Sequence, residues 1–219
     1  MPKRLSKLYF GTAGIPNSTP RKSTLNGIKR VHELGLDAME IEFVRGIRMT
    51  PSKAIEVRNI AQDLGVLLTV HAPYYINLNS SDPIKRQNSI QRIIESARIG
   101  SIAGAWSVTF HLGYYGNVEN NIAYNNVREA LNTIIKVLHN EGIDIWIRPE
   151  LSGSISEIGS LEEVVRLSED LGDNVLPCID FAHLHARTNG RYNTYEEFRS
   201  VLEYIEAKLG REALCNMHI

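Results

Sequence analysis

The fold is decided by a strand–helix–strand pattern: AMEIEFV at residues 38–44, PSKAIEVRNIAQDL at residues 51–64 and LLTVHAP at residues 67–73. The flanking runs are short and rich in branched apolar residues, as buried strands are. Between them, Thr50 is placed to cap a helix that begins at a proline, and Gly65 is placed to end it. Two strands joined through a helix are expected to run parallel.

The same unit recurs every 30 to 40 residues along the chain. Candidate strands are bounded by Gly, Pro, Asn or Asp, and they cover residues 8–13, 38–44, 67–73, 107–113, 144–151, 175–183 and 213–219. Helical patterns cover residues 21–34, 51–64, 82–99, 120–139, 160–171 and 194–209. The regular alternation predicts an α/β fold with a parallel sheet.

Two architectures have this alternation: an open doubly wound sheet and a TIM-type (β/α)₈ barrel. A dinucleotide-binding sheet would carry a glycine-rich turn after its first strand, but GTAGIP at residues 11–16 lacks the third glycine. We therefore predict a single barrel domain over residues 1–219. Eight such units need about 250 residues, so the barrel is expected to be incomplete, truncated after its seventh strand.

The composition is that of an ordinary globular domain, with 43% hydrophobic and 22% charged residues and a net charge of −1. The apolar runs are too short for a membrane span, and no secretory signal is recognisable. Two cysteines are too few for a disulfide framework. The expected location is the cytoplasm, and the charge gives no general case for binding nucleic acid.

Metal-ligand residues lie at the carboxyl ends of five successive predicted strands. In a parallel barrel these ends meet on one face. Histidine and carboxylate without cysteine suit zinc, with manganese and iron as second choices. A single histidine at a strand end is usually structural, but the recurrence favours a metal cluster. The candidate ligands are His71, His111, Glu150, Asp180, His183 and His218.

Five segments around these residues resemble the endonuclease IV family of apurinic/apyrimidinic endonucleases, within the wider xylose isomerase-like barrels. They are HAPYYINL at residues 71–78, FHLG at 110–113, ELSGS at 150–154, CIDFAH at 178–183 and MHI at 217–219. Their order and spacing agree with the family over nearly the whole chain. The resemblance implies a DNA-repair hydrolase that cuts the phosphodiester bond 5′ to abasic sites in double-stranded DNA during base excision repair.

The resemblance also implies up to three zinc ions, with Glu150 as the bridging ligand and catalytic residue. The implied ligand groups are His71, His111 and Glu150 for one zinc, Glu150, Asp180 and His218 for the second, and His183 for the third. The family pattern adds an Asp-x-His pair and a glutamate beyond the last residue here. Activity is therefore expected of the full-length protein rather than of these residues alone.

Contacts to DNA are implied for loops after the second and third strands. Tyr74 matches an inserting aromatic residue, Asn77 lies just beyond it, and Arg48 matches an arginine after the second strand. The plain structural interpretation is a half-buried loop aromatic and a solvated charge.

Glu40 and Glu42 alternate with apolar residues on the second strand, which predicts that both carboxylates face the barrel interior. Arg148 on the fifth strand is a candidate ion-pair partner for one of them. A structural network is favoured here over a catalytic acid–base pair.

Two other functions stay open. A sugar isomerase or epimerase of the wider superfamily would use a single metal, whereas His71 and His111 together favour a multi-zinc phosphodiesterase. A third interpretation is a fragment that binds abasic DNA without cleaving it.

Overall fold

A parallel sheet forms the centre of the molecule. The computed structural model describes residues 5–172 and 174–219. Five strands follow one another in chain order across the sheet. They are β1 (Gly11–Ala13), β2 (Ala38–Glu42), β3 (Leu67–His71), β4 (Ser107–Phe110) and β5 (Trp146–Pro149). Because every neighbouring pair is parallel, the carboxyl ends of all five strands lie along one edge.

Helices connect the strands, and their ends are set by residues that the sequence makes recognisable. The helices are α1 (Thr24–Glu33), α2 (Pro51–Leu64), α3 (Pro83–Ile102), α4 (Asn120–Asn140), α5 (Leu161–Leu171), α6 (Phe181–Arg187), α7 (Tyr195–Leu209) and α8 (Arg211–Cys215). Thr50 caps α2 and Gly65 ends it in the left-handed conformation, as predicted. Ser160 and Thr194 each form a capping box at the start of α5 and α7.

The predicted sixth and seventh strands are wrong as continuous strands. Among the described residues, these segments join the sheet through isolated parallel bridges, from Val175 to β5, from Cys178 to Glu150, and from Cys178 to His218. Residues 174–178 also form four backbone hydrogen bonds with residues 147–151. Pro177 has no amide hydrogen to donate to a ladder. The Asp180 side chain accepts a 2.7 Å hydrogen bond from the His183 amide, which starts α6 where strand was expected.

The final predicted strand, residues 213–219, is replaced in its first half by the short helix α8. His218 then lies in sheet register beside Cys178, and its carbonyl accepts a 2.9 Å hydrogen bond from the Ile179 amide. The end of the chain therefore runs parallel to its neighbour, as expected for a seventh strand, but it pairs at one residue instead of along seven.

The sheet curves, so that its first strand lies near the end of the chain. β1 lines a cavity of about 500 Å³ together with Glu40 of β2, Thr69 of β3, Trp106 just before β4, and Leu214, Cys215, Met217, His218 and Ile219. This curvature gives the sheet a polar inner surface and an outer surface against the helices, as in a TIM barrel. Met39 and Ile41 belong to the apolar core on the helix side, so Glu40 and Glu42 face the interior as their alternation predicts.

Within the described residues, we find no helix with the length and apolarity needed to cross a membrane.

Candidate metal centre

Three side chains with metal-ligand chemistry meet at the carboxyl edge of the sheet. His71 is the last residue of β3, and His111 and Glu150 directly follow β4 and β5. The sheet holds their backbones in line, since the Glu150 amide donates a 3.0 Å hydrogen bond to the Phe110 carbonyl. Their positions thus follow from strand order alone.

Glu150 is buried, with its two carboxylate oxygens directed to different partners. Its Oε2 lies 2.9 Å from His71 Nε2 and 3.7 Å from His111 Nε2. Its Oε1 lies 3.3 Å from His183 Nδ1, which is 3.5 Å from Asp180 Oδ2. One carboxylate therefore joins two groups of donors: His71, His111 and Glu150 on one side, and Glu150, Asp180 and His183 on the other.

The spacing within both groups suits a small divalent cation. In a tetrahedral zinc site with zinc–nitrogen bonds near 2.0 Å, neighbouring ligand atoms lie about 3.3 Å apart. The distances from Glu150 to its three histidines bracket that value. The donor atoms of each group lie within 4.8 Å of one another, so a cation can be held with small side-chain movements.

Hydrogen bonding to Glu150 favours the protonated form of two of the three histidines in this centre. Burial opposes a charge on His71, but hydrogen bonding to Glu150 and the nearby carboxylates raise its pKa to about 9. The interaction with Glu150 likewise raises the pKa of His183 to about 9, against partial burial. Burial alone would raise the pKa of Glu150, yet its bonds to His183 and His71 hold that pKa well below its usual range. Burial lowers the pKa of His111.

Metal binding is therefore expected to release protons. A histidine side chain must be neutral to bind a metal ion. At pH 7 both His71 and His183 carry an extra proton, because their pKa values lie near 9. We expect about two protons to leave per chain when both groups fill, and the apparent affinity to rise with pH until about pH 9. Calorimetry at pH 7 in buffers of different ionisation enthalpy counts these protons. Binding without proton release would show that these histidines are already neutral.

His218 belongs to neither of these two groups, whereas the resemblance implies it as a ligand in the second. Its Nε2 is 3.5 Å from Glu40 Oε2, and its Nδ1 is 3.2 Å from Thr109 Oγ1. Burial, aided by the charge of Arg148, lowers the pKa of His218 to about 3, so the ring is neutral. Burial also raises the pKa of Glu40 to about 7. His218 and Glu40 thus form a polar pair inside the barrel, close enough to the centre for the charges of His71 and Glu150 to act on both.

The loop residues expected to meet DNA differ in their surroundings. Tyr74 is 58% exposed and lies edge-on to His71, with ring centroids 6.3 Å apart, so it borders the centre. Arg48 is exposed. Asn77 is only half-buried, and its Oδ1 accepts a 3.1 Å hydrogen bond from the Asn79 amide. Because this oxygen is hydrogen-bonded within the protein, the side chain of Asn77 stabilises the loop after β3.

Sequence reasoning missed Arg187, which organises the loop at residues 151–159. Its guanidinium donates to the carbonyls of Ser152, Ser154 and Glu157. This holds Gly153 against the His183 ring, where an added Cβ would approach Cδ2 to 3.1 Å. Arg187 follows His183 by four residues on α6, a spacing that places both on one helix face and was a usable signal.

Comparison with known proteins agrees with this architecture. The profile of the family described as xylose isomerase-like TIM barrel matches residues 28–219. An uncharacterized protein of Methanocaldococcus jannaschii is 37% identical over 97% of this chain and 75% of its own length. A probable endonuclease 4 of Akkermansia muciniphila is 32% identical over 81% of this chain, which spans 65% of that protein.

Solved structures with the same fold include an endonuclease and sugar epimerases. Endonuclease IV from Thermus thermophilus superposes with a TM-score of 0.73 at 20% identity, covering 94% of this chain and 74% of that one. D-psicose 3-epimerase from Clostridium cellulolyticum superposes with a TM-score of 0.68 at 17% identity, covering 90% and 71%. At these identities the likeness concerns the fold alone. Because the family profile matches residues 28–219, the chain belongs to the xylose isomerase-like TIM barrel family.

Proposed function

We propose that this chain carries the catalytic centre of a zinc-dependent endonuclease that hydrolyses the phosphodiester bond 5′ to abasic sites in duplex DNA. The observation that carries the proposal is the sharing of Glu150 between two donor groups. A single-metal sugar enzyme needs no such shared carboxylate, whereas paired metals suit phosphodiester cleavage. The relatives named probable endonuclease 4 support the same choice.

The residues present fit zinc. Both groups combine imidazole and carboxylate donors, which zinc accepts in tetrahedral sites with an open position. When bound, zinc ions would ionise a water molecule near neutral pH and stabilise charge on phosphate oxygens. The resemblance implies up to three ions. Among the described residues two donor groups are present, so the proposal requires at least two.

The chain's own residues have distinct parts in this scheme. Glu150 belongs to both donor groups and would hold them next to one another as the shared carboxylate. His71 and His111 fix one group from adjacent strands, so their spacing is set by the sheet. Asp180 caps α6 with one oxygen and faces His183 with the other, which couples the second group to the start of that helix.

Tyr74 is placed to contact the substrate beside the centre. The neighbouring Tyr75 is held through Arg92, which stacks 5.3 Å from its ring and donates to its carbonyl. Tyr74 has a larger exposed fraction and borders His71. An aromatic ring here can stack in the gap left by a missing base.

The test joins elemental analysis of the purified chain to a nicking assay on a duplex with one abasic site. Two or more zinc ions per chain with nicking 5′ to the lesion support the proposal. One metal with no nicking and turnover of a ketose would identify a sugar epimerase. Binding of the abasic duplex without nicking would identify a binding protein.

Replacing Tyr74 with alanine is expected to weaken binding of abasic duplex by about 5- to 150-fold, because stacking on a base contributes roughly 1–3 kcal/mol. Fluorescence anisotropy at fixed salt measures the change. Tyr9→Ala is the matched control, since Tyr9 precedes β1 at the opposite end of the strands. Equal losses in the two variants would remove Tyr74 from the binding surface.

A further inference from the structure

We propose that Arg148 is a positioning residue that ties the segments carrying Asp180, His183 and His218 to β5. The proposal rests on the proposed function, because it concerns how the second donor group is kept next to Glu150. Arg148 lies on β5, two residues before Glu150, which directly follows that strand, so the alternation of side chains directs both to the barrel interior. It is the largest side chain in the described chain that is fully buried.

The contacts of Arg148 reach two separate chain segments. One terminal nitrogen donates a 3.2 Å hydrogen bond to the Pro177 carbonyl, and the other a 2.5 Å bond to the Asn216 carbonyl. Pro177 lies three residues before Asp180, and Asn216 two residues before His218. The planar guanidinium can hold two carbonyls at once in a fixed relation.

Aromatic rings fix the guanidinium in that orientation. Its central carbon lies 4.4 Å from the Trp106 ring centroid and 5.5 Å from that of Trp146. Within the part of the chain that the structure describes, Arg148 makes no ion pair with a carboxylate, and its Nε lacks a hydrogen-bond partner. The predicted pairing with Glu40 or Glu42 is therefore wrong, and the side chain is committed to backbone carbonyls.

These bonds add to a backbone pairing that is weakest at the end of the chain. Residues 174–178 form four backbone hydrogen bonds with residues 147–151, whereas, among the described residues, the segment 216–219 is joined to this part of the chain only by the backbone bond from the Ile179 amide to the His218 carbonyl. A segment held by a single bond resists local opening weakly. The bond from Arg148 to the Asn216 carbonyl acts at this place, and the bond to the Pro177 carbonyl holds the segment that leads into α6.

Hydrogen exchange measured by mass spectrometry tests this directly, without any need for metal or activity. In Arg148→Met, which keeps the volume and removes the donors, we expect amides in residues 175–180 and 216–219 to exchange at least about tenfold faster. Amides of β2 and β3 should keep their rates. Arg98→Met, which breaks an exposed pair with Glu141, is the control and should alter neither region.

Measuring the zinc content of the same variants then tests whether the contacts of Arg148 support the metal centre. Arg148→Met should lose one zinc per chain relative to the parent, because His71, His111 and Glu150 do not depend on the tied segments. Arg148→Lys should be intermediate in both measurements, since an ammonium group cannot hold both carbonyls in the same planar arrangement. This conservative variant also keeps the test usable if Arg148→Met does not fold.

The outcomes separate the two proposals. If the parent protein binds fewer than two metal ions but Arg148→Met changes hydrogen exchange as expected, the endonuclease proposal fails. The positioning role of Arg148 is then still supported. If exchange is unchanged, or accelerates equally in β2 and β3, Arg148 is an ordinary core residue and the inference is overturned.

Discussion

Glutamine at position 150 is expected to remove metal from both donor groups and to lower the nicking rate by more than about 100-fold. Replacing a residue that merely supports a ligand already lowers activity or affinity by roughly 10- to 100-fold, and Glu150 is shared by both groups. The amide keeps the shape of the side chain but has one oxygen and no charge. It can neither bridge two cations nor balance their charge.

The measurement is metal content per chain after equilibration with buffered zinc, followed by single-turnover nicking of the abasic duplex. Circular dichroism and the thermal midpoint establish that the variant is folded. Glu40→Gln is the matched control, because Glu40 also faces the interior yet belongs to neither donor group. We expect it to retain full metal content. Metal loss in Glu40→Gln equal to that in Glu150→Gln would mean that the cluster extends to Glu40 and His218.

The part of the centre that sequence predicts best is the part that the sheet determines. His71, His111 and Glu150 lie at the ends of three strands that are neighbours in order. Once the strands are known to be parallel and sequential, the meeting of these side chains needs no further information. The repeat of apolar runs and capped helices contains that information locally, which is why β2, α2 and β3 are found close to their predicted bounds.

The remaining residues depend on contacts between distant segments, which local patterns do not encode. The sequence pattern predicts Asp180 and His183 at the end of a strand, but Asp180 caps a helix instead, and the three-residue spacing still brings both to Glu150. His218 reaches Glu40 because the curvature of the whole sheet sets which side chains face each other across the interior. The carbonyl partners of Arg148 are equally non-local, and backbone acceptors have no sequence signature.

Gly113→Ala is expected to destabilise the fold by about 4 kcal/mol and to displace the loop that carries Tyr74. Two effects add. Gly113 has a φ of +108°, where a residue with a Cβ is strained by roughly 1–3 kcal/mol. An added Cβ would also lie 2.4 Å from Asn77 Oδ1 and 2.6 Å from Asn77 Cα, an overlap that costs about 1–3 kcal/mol more.

Gly46→Ala separates these effects, because Gly46 has nearly the same φ, +112°, but no atom within 4 Å of an added Cβ. We expect it to lose only about 2 kcal/mol, the strain contribution alone. Urea denaturation gives both values. Relief of the overlap requires Asn77 to move, which breaks its bond to the Asn79 amide and shifts the adjoining loop. Gly113→Ala should therefore also weaken binding of abasic duplex. Equal destabilisation of the two variants would mean that this loop yields freely, and that Tyr74 is not held in place before DNA binds.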